Sequence, residues 1–419
     1  MTLVGKPQGS GLAVNSCCVP NQPQMRALDA HENATMTQRL DALLDELITR
    51  KDIQSAIMAV ASGDGSFRWA GARGLMSPGG PPVTTATPWF IASITKLFIA
   101  ATVLRMVELG ELTLEDRVVD RLAPSLTRRL HVLDGTDWTD RLTLAHLLSH
   151  ASGLPDYIED YPKTRRRDGA DRRSLVEILL EEGDRAWSLD DTVQWVRERL
   201  KPHFAPQALD GRRVRIRYSD TNYQLLIGII EARRDAPFCR ILSDLVLDPL
   251  DLRNTWLPGH PRGDGPEPDA VPVFAGSEVL RLSRFLASIG DLNSTCEDLL
   301  RFCQAVVEGS LFQEPATWQR MQAHWHRFSL PLDRAALRQP SWPIEYGLGV
   351  MRFRLPRLLT PFRRMPALVG HTGSTGTWLF HAPEIDLYLS GAVNQITAGA
   401  VPFRVVPRAL RAVAESLSR

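Results

Sequence analysis

The stretch FIASITKLFIA at residues 90–100 combines a serine and a lysine, three positions apart, with a strongly helical apolar run. This spacing places the side chains of Ser93 and Lys96 on one face of a helix. A serine hydroxyl becomes a good nucleophile when a neighbouring base accepts its proton, and a lysine desolvated by apolar neighbours is such a base. Backbone N–H groups at the helix start would stabilise negative charge beside the serine. Alone, the pattern equally fits a capping serine and a surface lysine.

A second candidate stretch is RYSDTNYQLLIGIIE at 217–231, in which a turn leads into an apolar helix. The phenol of Tyr218, pushed toward phenolate by a nearby ammonium, is suited to carry a proton between a serine and a leaving group. The alternative is a tyrosine packed at a helix entrance, with Asp220 as a cap.

The third stretch is VGHTGSTGTWLF at 369–380, where Gly373 and Gly376 interrupt a predicted strand. Glycine within a strand marks the close approach of another backbone or a ligand. Such an edge can donate an N–H group to an oxyanion and hydrogen-bond an extended substrate, whereas the alternative is a strand with a simple bulge.

In this order, the three stretches resemble the S-x-x-K, Y-x-N and K-T-G elements of the serine β-lactamase and penicillin-binding protein (DD-peptidase) superfamily. Further stretches resemble its branch of AmpC-type β-lactamases, family VIII esterases, D-aminopeptidases and D-alanyl-D-alanine carboxypeptidases. These are LTLAHLLSHASGLPDY at 142–157, LDPLDLRNTW at 247–256, GDLNSTCEDLLRF at 290–302 and YGLGV at 346–350. The resemblance runs from about residue 37 to the end of the chain.

The resemblance implies a role for each matching residue. Ser93 is the acylated nucleophile, Lys96 keeps the proton circuit poised, and Tyr218 is the general base and acid. The remaining implied substrate-binding and oxyanion positions are His371, Thr372, Gly373, Ser374, Asp220 and Asn222. The resemblance also implies that the backbone N–H groups of Ser93 and Ser374 form the oxyanion hole. No metal and no cofactor is implied.

Two positions depart from the family pattern. Asp220 replaces the asparagine of Y-x-N, so a carboxylate that only accepts hydrogen bonds replaces an amide, and its charge should hold Lys96 protonated and favour Tyr218 as the base. Asn222 is a candidate for the missing amide. His371 replaces the lysine of K-T-G and removes the permanent cation that helps to hold a β-lactam carboxylate. We therefore expect only weak β-lactamase activity.

The periodicities predict an α+β fold. An amphipathic helix begins at Thr35, whose spacing to Gln38 fits a capping box, and a hairpin covers 55–73. Helical periods dominate from 93 to about 330, strands return after about 344, and Pro407 begins a closing helix. The expectation is one antiparallel sheet flanked by helices, assembled from both ends of the chain, with an inserted helical lobe.

The expected domain organisation has three parts. Residues 1–34 form a disordered tail, 35–90 and 335–419 form an α/β lobe, and 91–334 form a mainly helical lobe, with the active site between the lobes. The interval from Ser93 to Tyr218 is longer than in the AmpC-type relatives. The excess falls in 158–205, which either folds over the cleft and sets substrate size or packs on the outside.

The composition limits the class of partner. Among 419 residues, 49 basic and 48 acidic side chains give a net charge of +1, which excludes a strong field for nucleic acid or anionic lipid. Five scattered cysteines show no metal-ligand spacing, and the first residues show no export signal. These features predict a cytoplasmic protein that binds neither nucleic acid nor membranes and whose partner is a small molecule. The family resemblance implies that this molecule is an ester, an amide or a short peptide.

The resulting functional hypothesis is a serine hydrolase with a Ser93 acyl-enzyme. Three alternatives remain open at this point. They are an acyltransferase or cyclase that uses the same acyl-enzyme, a weak β-lactamase, and a non-catalytic binding protein of the same fold.

Overall fold

The structure is a computed structural model that describes residues 30–162, 171–211, 213–263, 265–354 and 365–417. Residues 1–29, most of the predicted disordered tail, lie outside the described residues, as does 163–170 of a basic stretch in the long interval. Among the described residues, no helix is both long and apolar enough to cross a membrane.

The chain forms fourteen β-strands among the described residues. They are β1 Ser55–Ser62, β2 Arg68–Gly74, β3 Trp89–Phe90, β4 Val132–Leu133, β5 Thr136–Asp137, β6 Phe274–Ala275, β7 Glu278–Val279, β8 Asn293–Ser294, β9 His326–Arg327, β10 Ile344–Tyr346, β11 Met351–Phe353, β12 Leu368–Gly373, β13 Thr377–Ala382 and β14 Leu387–Ala392.

Thirteen α-helices accompany these strands in the same part of the chain. They are α1 Ala30–Ile48, α2 Thr95–Glu108, α3 Val118–Arg121, α4 Pro124–Thr127, α5 Leu144–Leu148, α6 Leu175–Glu182, α7 Leu189–Arg199, α8 Asp220–Arg234, α9 Phe238–Leu242, α10 Ser283–Ser288, α11 Cys296–Glu308, α12 Thr317–Gln322 and α13 Pro402–Leu417.

Eight strands form one antiparallel sheet in the order β2-β1-β14-β13-β12-β11-β10-β9. The strand β1 pairs with β14, with Ile57 opposite Ala392, so the sheet is assembled from both ends of the chain. The predicted fold class, an α+β protein with a large antiparallel sheet flanked by helices, is confirmed.

The sheet is covered by helices on both faces. All eight residues of β1 are buried because successive side chains point to opposite faces, and each face has its own core. Met58 and Val60 pack in the core that includes residues of α1 and α13, whereas Ile57 and Ala59 pack with α2 and α11. Burial on both faces explains why β1 reads as a continuous apolar run rather than as an alternating one.

Several predicted boundaries are wrong. Helix α1 begins before Thr35, whose hydroxyl donates to the His31 carbonyl inside the helix instead of capping it. Helix α13 begins at Pro402, and Pro407 lies within it. The stretch 369–380 is not one interrupted strand but the hairpin β12–β13, with Ser374 in its turn.

Candidate active site

Ser93 lies in a short helical turn, Ala92–Ile94, immediately before α2. Ala92 adopts φ 49°, in the left-handed region that residues with a Cβ rarely occupy. Such strain persists where surrounding structure imposes it, and here β12 and β13 do so. A Cβ on Gly373 would lie 2.8 Å from the Ile91 carbonyl oxygen, and the Thr377 hydroxyl donates to that oxygen at 3.0 Å. The glycine therefore allows β12 to approach the nucleophile turn, as predicted for a close backbone contact.

Lys96 lies one helical turn after Ser93, is only 2% exposed, and donates from Nζ to the Ser93 Oγ at 3.2 Å. It also forms an ion pair with Asp220. Burial lowers the pKa of Lys96, but the charge of Asp220, with smaller contributions from Tyr218 and Asp291, outweighs burial and holds this pKa well above its usual value. The structure therefore favours an ammonium, as the charge of Asp220 predicted, and not the neutral amine expected from desolvation alone.

The ring of Tyr218 lies 5.1 Å from Lys96 Nζ, and its side chain is buried at the entrance to α8. Its hydroxyl has no well-aligned hydrogen-bond partner among the described residues. Burial raises the pKa of Tyr218 far above its usual value, although the charge of Lys96 and hydrogen bonding with Ser93 act in the opposite direction. The charge of Lys96 thus favours the phenolate, as predicted, but burial outweighs it and favours a neutral phenol in the resting enzyme.

The start of α8 is held by the loop 154–160. The Asp220 N–H donates to the buried carboxylate of Asp156, and the Ser219 and Thr221 hydroxyls donate to the Pro155 carbonyl. Asp156 also accepts from the N–H group of Ile158. These bonds satisfy N–H groups at the helix start and fix Tyr218 and Asp220 relative to Lys96.

Two of the predicted substrate-binding side chains do not line the cavity described below. His371 belongs to β12, and its side chain is fully buried away from the cavity. Its Nδ1 donates to the Thr372 carbonyl, and its Nε2 accepts from the Tyr346 hydroxyl at 3.0 Å. Burial, reinforced by the charge of Lys96, lowers the pKa of His371 to about 3. Successive side chains of a strand point to opposite faces, so Thr372, the next residue, faces the cavity and His371 does not.

The side chain of Asn222 is likewise used internally. Its Oδ1 accepts from the Ser152 hydroxyl at 2.7 Å, and its Nδ2 lies 3.2 Å from Nδ1 of His150. The ring of His150 packs against that of Tyr218, with centroids 4.3 Å apart and a tilt of 34° between the ring planes. Asn222 therefore does not supply the amide that Asp220 lacks, and instead supports the side chains behind Tyr218.

A cavity of about 810 Å³ is lined by Ser93. Its polar end is formed by Ser93, Lys96, Tyr218, Asp220, Asp291 and Tyr157, and Thr372, Gly373 and Ser374 border it. Its apolar end is formed by Leu179, Leu180, Phe285, Leu286, Trp342 and Phe403. The structure thus brings together Ser93, Lys96, Tyr218, Asp220 and the 372–374 segment at one end of a large apolar space.

The long interval contributes directly to this cavity. Helix α6 lies within 158–205, the segment predicted to contain the additional residues. Its side chains line the apolar end through Val176, Leu179 and Leu180. Of the two alternatives for this segment, a wall of the cleft is the one that the structure shows.

The cavity is also lined by Tyr157, Asp291 and Glu159, for which the sequence predicted no role. Tyr157 and Asp291 belong to the family-like stretches 142–157 and 290–302, so the signal was present without a reason to select these positions. Glu159 also lines the cavity, and burial raises its pKa to about 7 against the opposing charge of Arg338. The positions of Asp291 and Glu159 in the cavity wall depend on how their loops pack, which the sequence pattern does not specify.

Several other histidine and tryptophan side chains have structural roles. His146 forms a capping box with Thr143 and contacts the Gln207 carbonyl with its Nε2. Trp89 and Trp378 are fully buried and do not line the cavity. Among the described residues, no group of three or more histidine, cysteine, aspartate or glutamate side chains could hold a metal ion.

Comparison with known proteins agrees with this geometry. Esterase EstB of Burkholderia gladioli is 27% identical over 317 residues, which are 68% of this chain and 72% of the esterase. A D-amino acid amidase from Ochrobactrum anthropi SV3, solved with L-phenylalanine amide, superposes with a TM-score of 0.67 at 20% identity over 91% of this chain and 99% of the amidase.

A third similar protein, EstCE1, is described as a hydrolase with promiscuous acyltransferase activity. It superposes with a TM-score of 0.67 at 18% identity, over 92% of this chain and 100% of EstCE1. The model of the Beta-lactamase family matches residues 40–411, which is most of the sequence. The chain therefore belongs to the Beta-lactamase family of serine hydrolases.

Proposed function

We propose that this protein hydrolyses an ester or amide of a small molecule through a covalent acyl-enzyme on Ser93. The observation that carries the proposal is the contact of Lys96 Nζ with the Ser93 Oγ, next to Tyr218, at the closed end of a large cavity. A nucleophile, a charged proton carrier and a phenol in mutual reach form the unit that acyl transfer to serine needs.

In the first step, Ser93 Oγ attacks the carbonyl carbon and its proton passes to the Lys96–Tyr218 pair. The carbonyl oxygen becomes an oxyanion, for which the N–H groups of Ser93 and Ser374 are the proposed donors. When the tetrahedral intermediate collapses, the bond to the alcohol or amine breaks and that group leaves with the proton. Water then attacks the acyl-enzyme, gives its proton to the same pair, and Ser93 is released protonated.

The protonation state sets a condition on this cycle. Lys96 is held as an ammonium by Asp220, and Tyr218 is a neutral phenol, so the resting pair has no free base. One proton must leave the pair before Ser93 can be deprotonated. We therefore expect kcat/KM to increase with pH until that proton is lost.

The apolar end of the cavity supports a substrate with a bulky apolar group. Leu180, Phe285 and Trp342 present apolar surface to such a group, and the charged side chains that line the cavity near them, Glu159 and Arg338, are paired with each other. Esterase EstB and the D-amino acid amidase are relatives whose names describe ester and amide substrates, and this agrees with the proposed bond types.

The decisive experiment is covalent labelling. After exposure to a fluorophosphonate or a penicillin, mass spectrometry of the full chain should show one adduct on Ser93, and Ser93→Ala should show none. Equal labelling of both proteins would overturn the nucleophile. A panel of p-nitrophenyl esters, D- and L-aminoacyl p-nitroanilides and nitrocefin would then identify the bond that is cleaved, including any weak β-lactamase activity.

A second candidate function is acyl transfer to an alcohol or amine in place of water. The described promiscuity of EstCE1, which shares this fold, favours testing it. Product analysis with and without an added apolar alcohol separates the two reactions. Hydrolysis alone with every acceptor would exclude transfer as the main activity.

A further inference from the structure

The polar end of the cavity contains more negative than positive charge. Asp220 is paired with Lys96, but Asp291, which also lines the cavity, forms no ion pair among the described residues. Burial raises the pKa of Asp291 to about 6, against the charge of Lys96 and a hydrogen bond from Thr95, so its carboxylate is ionised at neutral pH. One carboxylate near Ser93 is therefore left without its own cation.

The hydroxyl of Tyr157 faces the same region. Tyr157 is fully buried and lines the cavity, and its hydroxyl has no hydrogen-bond partner among the described residues. Burial raises its pKa, the charges of Asp220, Asp291 and Asp156 raise it further, and that of Lys96 lowers it, so carboxylates predominate among its charged neighbours. A buried hydroxyl without a partner carries a free-energy cost that a ligand can remove.

The position of Asp291 is fixed by the nucleophile segment. The carbonyl of its neighbour Leu292 accepts from the Ile91 N–H at 2.9 Å, and the Leu292 N–H donates to the Thr95 hydroxyl at 3.0 Å. Both contacts are within two residues of Ser93. A group bound by Asp291 would therefore lie close to the carbonyl carbon that Ser93 attacks.

We propose that Asp291 and Tyr157 bind a protonated amine of the substrate, close to the scissile ester or amide bond. This inference rests on the proposed function of Ser93. An ammonium supplies the positive charge that Asp291 lacks and several N–H donors, for which the Asp291 carboxylate and the Tyr157 oxygen are acceptors. The apolar end of the cavity takes the uncharged remainder of the substrate, and its lining explains why the cation belongs at the other end.

The test uses pairs of substrates that differ only in the amine. The D and L enantiomers of phenylalanine p-nitroanilide carry it, and 3-phenylpropanoyl p-nitroanilide does not. Wild type should prefer one amine-bearing enantiomer by roughly 10- to 100-fold in kcat/KM. Asp291→Asn should lose most of this preference by reacting more slowly with the amine substrate alone, and Tyr157→Phe should lose a smaller part.

A surface substitution of the same kind, Asp235→Asn, provides the control and should leave kcat/KM unchanged for both substrates. Equal loss on both substrates in Asp291→Asn would assign Asp291 to the positioning of Lys96 and overturn the amine site, as would a wild-type preference for the neutral substrate.

In wild type, 2-phenylethylamine should inhibit cleavage of 3-phenylpropanoyl p-nitrophenyl ester better than 2-phenylethanol does, and equal inhibition would contradict the site without any variant. If Ser93→Ala still cleaves that ester, the proposed function itself has failed.

Discussion

The two ends of the cavity differ in almost every physical property. The polar end contains Ser93, Lys96 and Tyr218 within a buried network of charges, and its positions are fixed by hydrogen bonds from three separate parts of the chain. The apolar end is lined by side chains of α6, α10 and the 337–343 segment, and several of these are partly exposed, with Leu337 at 71% and Leu180 at 47%.

This difference separates two tasks. Rigid, charged groups at the polar end can stabilise a transition state because they do not need to reorganise during the reaction. Partly exposed apolar side chains discriminate substrates weakly, by size and shape. We expect changes at the polar end to alter the rate or its pH dependence for every substrate, and changes at the apolar end to alter the choice among substrates.

The largest expected effect comes from the proton-transfer pair. Lys96→Ala and Tyr218→Phe should each lower kcat by about 10²- to 10⁴-fold on every substrate, because each removes a group that moves the Ser93 proton. Steady-state kinetics with a p-nitrophenyl ester measures this. Tyr161→Phe, which changes a partly exposed tyrosine outside the cavity, should retain normal turnover. Near-normal rates in either active-site variant would remove that residue from the mechanism.

A smaller effect is expected from the pairing of Lys96 with Asp220. The carboxylate raises the pKa of Lys96, so Asp220→Asn should lower that pKa and move the ascending limb of kcat/KM to lower pH, by about 1 to 3 units. The measurement is a pH profile of kcat/KM with an uncharged ester. Asp235→Asn, an exposed change, should leave the limb in place. A limb that stays fixed or moves to higher pH in Asp220→Asn would contradict the role of the ion pair.

The smallest effect is expected at the apolar end. Leu180→Trp should narrow the cavity and lower kcat/KM for a bulky acyl ester by about tenfold, while an acetyl ester is cleaved at the normal rate. Leu332→Trp is the matched control, because Leu332 is exposed and does not line the cavity. Equal losses on both esters would show that α6 affects the polar end as well, and the proposed separation of tasks would be wrong.

The sequence was sufficient where local pattern and chemistry coincide. The helix that follows Ser93, the hairpin of β1 and β2, and the helix that follows Tyr218 were predicted because apolar periods and turn residues specify them locally. The order of the three motifs then predicted the fold class through the family resemblance. Gly373 was also interpretable from the sequence, since a strand glycine marks a close approach.

The remaining features depend on contacts between distant segments. Thr372 and His371 are neighbours in sequence, yet only the pairing of β12 with β11 and β13 decides which one faces the cavity. The charge near Lys96 likewise depends on Asp291, which a loop far along the chain brings beside α2. Burial and pairing of this kind have no local signature, so the neutral state of Tyr218 could not be predicted from the motifs, whereas Asp220 in the second motif did predict a protonated Lys96.

The pairing of β1 with β14 has a consequence for how the protein is made. Ile57 is synthesised 392 − 57 = 335 residues before its partner Ala392. Contacts between such distant residues slow folding, because a long loop must close before they form. Ser93 is therefore translated long before the strands β12 and β13 that shape its turn, and this turn cannot acquire its folded geometry until those strands have been synthesised.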